Sequence, residues 1–235
     1  MKVAVMQPYF LPYLGYWQLM GAVDQFVIFD DVAFIQKGWI NRNRLLLNGA
    51  PHLFTLPLEN ASQNRLISEI RLLPGAEGRK KILATVHHAY ARAPFFQEAF
   101  ALVEEVVMCS EEYLAPYLAF GIKRIARHLG FTADFTCSSG MEAGRGMKGS
   151  QRIIALCKAL GADEYINPPG GAGIYQANEF SEAGIHLRFL QPGECRYRQF
   201  GGPFVPWLSI VDILMFNNSE AVAALLADCQ NAAAQ

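Results

Sequence analysis

The chain has 235 residues, 52% of them hydrophobic and 12% aromatic, enough to bury a large core, and one domain is the default expectation. Its 20 basic and 21 acidic side chains leave a net charge of −1, which does not draw the whole molecule towards nucleic acid or an anionic membrane. No apolar run approaches the roughly 20 residues of a membrane span. The opening run is cut at Pro8, short of signal-peptide length, so a cytoplasmic location is expected.

Lys2 to Met6 is a short apolar run, as in a buried first strand, and Pro12 to Met20 follows with Leu14, Trp17, Leu19 and Met20 on a helical face. Phe26 to Phe29 is a second buried strand that stops at Asp30 and Asp31. Strand, helix, strand is a βαβ start, with a right-handed crossover as the default. Trp39 to Leu47 and His52 to Leu58 flank Asn48-Gly49, the strongest short hairpin signal. A two-residue turn sets Leu47 opposite Ala50, Leu45 opposite His52 and Asn43 opposite Phe54. Asn41 and Asn43 then share one face, and Arg42 and Arg44 the other. Ile67 to Leu72 is a candidate third strand, making residues 39–72 an antiparallel insertion.

Residues 77–130 read as helical, with breaks near Pro94 and at Ser110, a candidate N-cap. Ala133 to Cys137 returns to strand. Ser150 to Leu160 is an amphipathic helix started by Ser150 and closed by Gly161. Tyr165 to Asn167 and His186 to Leu190 are further strands, and Ser209 to Phe216 and Ser219 to about Cys229 are helices. Strands alternate with helices at both ends. The expected fold is α/β, a single domain over residues 1–235: an open, mostly parallel Rossmann-like sheet with an antiparallel β insertion and a helical segment.

In such sheets ligands bind beyond the carboxyl ends of the strands. Those ends carry Gln7-Pro8, Asp30-Asp31, Ser138-Ser139 and Asn167-Pro168-Pro169-Gly170-Gly171. Gln7 offers an amide that can donate and accept. The loop from Gln7 to Tyr16 holds three tyrosines and a phenylalanine between fixed prolines, either a rigid aromatic wall or core docked on the insertion. Asp30 and Asp31 point to opposite sides of a strand, so one is a candidate base or ligand anchor while the other is solvated; structural capping or pairing with Arg42 or Arg44 is the plain alternative. Lys37, Asn41, Arg42, Asn43 and Arg44 gather amides and rigid guanidinium forks beside Trp39, suited to phosphate or carboxylate; an exposed charged edge strand is the plain alternative. Lys148 and Arg152 flank a helix start, where cations oppose the dipole. A bound anion or a local acid such as Glu142 resolves that conflict. Gly170 and Gly171 let backbone approach a ligand, with Asn167 and Tyr175 on either side.

Other signals point away from chemistry. The five cysteines, Cys109, Cys137, Cys157, Cys195 and Cys229, are odd in number with no C-x-x-C spacing, so neither a disulfide framework nor a zinc site is expected. They read as small buried hydrophobes. His87 and His88 are adjacent and diverge on a helix, and no metal site is evident. Ser209 with Asp212 has N-cap spacing. Ser138 or Ser139 with His186 has only spacing in favour of a catalytic pair. There is no G-x-G-x-x-G and no G-K-[ST], so no motif supports ATP and the cofactor stays open.

Val5 to Trp17 (V-M-Q-P-Y-F-L-P-Y-L-G-Y-W), Phe29-Asp30-Asp31-Val32, Gly38 to Arg44, His52 to Leu58, Gly161 to Pro168 with Gly170-Gly171, and Leu208 to Phe216 together resemble the WbqC-like family. The resemblance implies a bacterial protein of surface-polysaccharide (O-antigen) pathways. It also implies a candidate aminoacyl (glycine) transferase forming an amide on a nucleotide-linked amino sugar. In that reading Arg42, Arg44, Lys148 and Arg152 hold phosphates, Asp30 or Asp31 takes the proton of the attacking amine, and His52 is a reserve base. A second reading is a non-catalytic partner that binds a nucleotide-sugar or amino-sugar. A more distant similarity is to nucleotidylyltransferase-type adenylate formers, whose H-x-G-H stands here as Tyr13-Leu14-Gly15-Tyr16. Only the glycine survives.

Overall fold

The structure is a computed structural model; it describes residues 1–193 and 195–233, with side chains through residue 227. Five strands, β1 (Lys2–Met6), β2 (Gln25–Ile28), β7 (Asp134–Cys137), β8 (Glu164–Asn167) and β9 (His186–Phe189), form an all-parallel sheet. Its spatial order is β7-β2-β1-β8-β9. The first strand in the chain is therefore central. The order runs outward to β2 and β7 on one side and to β8 and β9 on the other. The direction of winding reverses between β1 and β8, and it is at such a reversal that neighbouring loops part and leave a crevice.

Both faces of the sheet are covered, and the period-2 alternation of strand side chains assigns residues to each. Ala4, Phe26, Ile28 and Ile166 belong to the larger core, with α1 (Leu14–Gly21), α2 (Glu77–Tyr90), α3 (Phe96–Val107), α4 (Leu114–His128), α7 (Ile210–Phe216) and α8 (Ser219–Ala233). Val3, Val5, Val27 and Tyr165 belong to a smaller core, with Ile153, Leu156 and Cys157 of α5 (Gly149–Leu160) and Phe180 of α6 (Ala177–Glu182). Burial on both faces is why these strands read as continuous apolar runs. α6 was not anticipated; six residues are too few to show a helical period.

The hairpin forms in the expected register. β3 (Arg42–Leu47) pairs antiparallel with β4 (Ala50–Thr55), with Leu47 opposite Ala50, Leu45 opposite His52 and Asn43 opposite Phe54. Asn48 and Gly49 both take positive φ, as a type I′ turn requires. The third strand does not extend it. Ile67–Glu69 is a 3-10 turn, and only β6 (Arg71–Leu72) is extended, pairing with β5 (Leu58–Glu59) in a separate ribbon.

Three local expectations are corrected. Lys148, not Ser150, is the N-cap of α5, with no side-chain cap bond, whereas Gly161 closes the helix in the left-handed region as expected. Ser110 caps nothing, since α4 starts after Tyr113. Cys109, Cys137 and Cys157 are free, whereas Cys195 is disulfide-bonded; Cys229 lies outside the described side chains. No described helix is long and apolar enough to cross a membrane.

Candidate functional site

At the reversal between β1 and β8 lies a cavity of about 720 Å³. Its floor comes from the ends of β1 (Met6, Gln7), β2 (Phe29) and β8 (Asn167). One wall is the start of α1 with Tyr9, Tyr13, Gly15 and Tyr16, and another is the turn from Pro168 to Gly171 with Ile174 and Tyr175. Ile35, Trp39, Asn43 and Arg44 enter from the hairpin side, and Trp207 from the connection before α7. A cavity of this volume suits a ligand of nucleotide or drug size.

The loop after β1 is stitched in place rather than loosely draped. Phe10 N donates to Ile40 O at 2.9 Å. Asn43, 3% exposed, donates through Nδ2 to Leu11 O at 2.8 Å and Phe10 O at 3.3 Å. Ser209 completes the seam: its N donates to Arg44 O at 2.9 Å and its Oγ to Leu11 O at 2.7 Å. The two accounts of the aromatic loop both hold, for different rings. Phe10 is core, edge-on to Phe54 at 5.6 Å. Tyr9 and Tyr13 are wall, and Tyr16 is buried wall, its hydroxyl donating to Gln7 O at 3.2 Å.

Burial raises the phenols of Tyr9, Tyr13, Tyr16 and Tyr175 above the ordinary tyrosine value, so they remain neutral. Arg44 is then the one charged side chain among the described lining residues. Its guanidinium stacks over the Trp39 ring at 4.9 Å and makes no hydrogen bond or ion pair among the described residues. Arg44 is thus a half-buried cation beside aromatic walls, with no counter-charge among the described residues. The Gln7 amide likewise has no hydrogen-bond partner among the described residues. Asn167 is 6% exposed, and its Oδ1 accepts from Tyr165 Oη at 3.3 Å while Nδ2 has no partner among the described residues. A Cβ at Gly171 would overlap that amide nitrogen, so any larger residue there must push the Asn167 side chain aside.

Eight expected binding residues meet here: Gln7, Tyr16, Asn43, Arg44, Asn167, Gly170, Gly171 and Tyr175. Others go elsewhere. Arg42 donates Nε to Gly38 O at 2.9 Å and a second nitrogen to Lys37 O, which uses its fork to brace the loop under Trp39. Lys37 and Lys148 are exposed outside the lining, and Asn41 donates to Leu56 O at 3.0 Å. Arg152 is 4% exposed and pairs with Asp31 at 2.6 Å, donating also to Ala143 O. That carboxylate supplies the counter-charge to Arg152 near the start of α5, and Glu142 pairs instead with Arg145 at 3.0 Å.

The candidate bases are not in the cavity lining. Asp30, 4% exposed, accepts from Ser139 N at 2.9 Å, Ser139 Oγ at 2.7 Å and Ser138 Oγ at 3.1 Å. Asp31 also accepts from Ser138 Oγ. The two aspartates thus bind the end of β2 to the turn after β7. That network occupies the serines, leaving His186 exposed on β9 without either as partner. His52 is exposed on β4. Ser209 does cap α7, accepting from Val211 N at 3.3 Å. Asp212 does not return to that cap: it is fully buried and accepts from Tyr90 Oη at 2.7 Å, Tyr197 Oη at 2.6 Å and Gln199 Nε2 at 2.7 Å. No group of three His, Cys, Asp or Glu among the described residues could hold a metal ion.

Ile35, Ile174 and Trp207 escaped the sequence reading. Single apolar residues in loops carry no periodicity, and only exposure over a cavity marks them. Trp207 had one faint signal, a tryptophan amid prolines in a segment with no strand or helix pattern.

A Mycobacterium tuberculosis protein titled "Uncharacterized protein Rv1507c" is 27% identical to this chain over 224 residues, covering 94% of this chain and 95% of its own. No solved structure gives a significant match. The WbqC-like protein family matches residues 7–224, nearly all of the sequence that builds the sheet, the hairpin and the cavity, and the chain belongs to that family.

Proposed function

We propose that this WbqC-like chain binds a nucleotide-linked amino sugar in the β1–β8 crevice, within surface-polysaccharide (O-antigen) biosynthesis in the cytoplasm, and transfers an aminoacyl group, glycine in the simplest case, to the sugar amine. The observation that supports it most is Arg44: an unneutralised guanidinium, pre-stacked on Trp39, facing a cavity of nucleotide size. Neutral phenols, the Gln7 amide and Nδ2 of Asn167 offer donors for sugar hydroxyls and amides. In the transfer, the amine nitrogen attacks the activated acyl carbon, the bond to the leaving group breaks, and the amine proton departs with that group. Catalysis in this reading rests on holding the two reactants together, because Asp30, Asp31 and His52 do not line the cavity.

That same lack of a lining carboxylate or imidazole favours a second reading, a non-catalytic binder of the same ligand. It also weighs against nucleotidyl transfer, since Tyr13 and Tyr16 stand neutral at the two histidine positions. Purified protein incubated with glycine, ATP and a panel of nucleotide-linked amino sugars, read by mass spectrometry, separates these. A sugar heavier by one glycyl residue supports transfer. Tight binding without product leaves the binder. Neither binding nor product removes both.

A further inference from the structure

Among the described residues five that are not glycine take left-handed backbone: Leu11, Lys37, Asn48, Asn60 and Trp207. The two asparagines are turn residues of the type that tolerates it. The other three have no such excuse, and all three lie on segments that build the cavity. Leu11 (φ 48) is in the loop after β1, its carbonyl accepting from Asn43 and Ser209. Lys37 (φ 58) precedes Trp39, its carbonyl held by Arg42. Trp207 (φ 61) is in the connection from β9 to α7 and lines the mouth itself. Strain of this kind persists where the surroundings over-determine it, and it gathers at ligand clamps.

Trp207 gains little from its strain in the protein alone. It is 61% exposed, touching Tyr13 with ring centroids 5.9 Å apart. Trp39, 38% exposed, shares the mouth. The third tryptophan, Trp17, is wholly buried. The connection carrying Trp207 is fixed on both sides: Gln199 Oε1 accepts from Val205 N at 2.8 Å, Gln199 Nε2 reaches Asp212, and Ser209 N bonds Arg44 O. A large apolar ring is thus held in a strained backbone, over an open cavity, two residues from a backbone bond to the segment that carries the free cation.

We infer that Trp207 is a ring-binding platform at the mouth of the cavity, and that the ligand joins a flat ring, stacked on Trp207, to an anionic group held by Arg44. This rests on the crevice being the binding site and specifies the ligand's chemistry: a ring plus an anion, of which a nucleoside diphosphate is one source and an aromatic sulfonate another. Trp207 determines which ring is accepted, and Trp39 positions Arg44 by stacking beneath it.

The full chain and its Trp207→Gly and Arg44→Gln variants are titrated with UDP, UDP-N-acetylglucosamine and anilinonaphthalene sulfonate, read by tryptophan or probe fluorescence, with thermal melts of each protein alone. Glycine accepts the left-handed backbone, so Trp207→Gly is expected to melt at or above wild type while binding each ligand at least tenfold more weakly. Arg44→Gln is expected to lose affinity for the same ligands with little change in melting. Binding of every ligand by Trp207→Gly as tightly as by wild type overturns the inference, as does wild-type protein that binds none of the three. Wild-type binding of the sulfonate alone, sensitive to both substitutions, upholds the ring-plus-anion site and removes the nucleotide reading instead.

Discussion

Asp31 and Arg152 show how residue type alone misleads. Each looks like site chemistry, an acid at a strand end and an arginine at a helix start, yet they neutralise each other. Asp31→Ala leaves Arg152 buried without its counter-charge and is expected to cost about 3–5 kcal/mol of stability, with ligand affinity unchanged in the fraction that folds. Urea unfolding beside a binding titration checks both halves. Asp212 makes a pH prediction. Burial lifts its carboxyl above the ordinary aspartate value, although bonds from Tyr197, Tyr90 and Gln199 pull the other way. The folded state then keeps a proton that the unfolded chain has released. Stability from this group is full below the unfolded value of about 3.9 and declines as pH rises through the folded one. Asp212→Asn carries no such slope, so its stability relative to wild type should rise as pH increases over the range above the unfolded value of about 3.9. A constant difference in urea midpoints over that range refutes this.

At the scale of elements, the cavity depends on seams that tie loops to strands. Asn43 holds two carbonyls of the loop after β1 from inside the hairpin. Asn43→Ala takes the side-chain donor from Phe10 O and leaves Leu11 O with Ser209 Oγ alone, and is expected to cost about 1–3 kcal/mol, with a loss of ligand affinity as Tyr9 and Tyr13 shift. Chemical denaturation gives the first and titration the second. Gly171 has the opposite profile. A Cβ there meets a side-chain amide, not backbone, so Gly171→Ala should displace Asn167 and weaken binding with only a small drop in melting temperature. The hairpin register was legible because Asn48-Gly49 admits one short turn and period 2 does the rest. The third strand was not. Ile67 to Leu72 has strand-like residue types, but Ile67 N and Ser68 N bond to Val32 O and Asp30 O, contacts made by segments distant in sequence.

For the molecule as a whole, the order β7-β2-β1-β8-β9 brings residues some 160 positions apart to one crevice. Hydrogen exchange with saturating ligand should therefore slow the amides of residues 7–16 and 167–175 together. Those of Asp30, Asp31, Ser138 and Ser139 should be unaffected. Protection centred on the second group instead would move the site to the aspartate network.

The sequence by itself determined the α/β class, the positions of the parallel strands, the hairpin register and most of the polar floor of the cavity. Those follow from local patterns: burial on both faces, period-2 alternation and turn residues. Only the tertiary structure decided which charges were spent and which were free. Arg44 and Arg152 are the same residue type in similar local company, and the difference is that Asp31 lies beside one and a tryptophan beneath the other. It also supplied Trp207, whose place at the mouth comes from a left-handed backbone held by contacts with β3 and α7. Pairing of charges and strain of this kind depend on chain segments meeting in space, which no local pattern encodes.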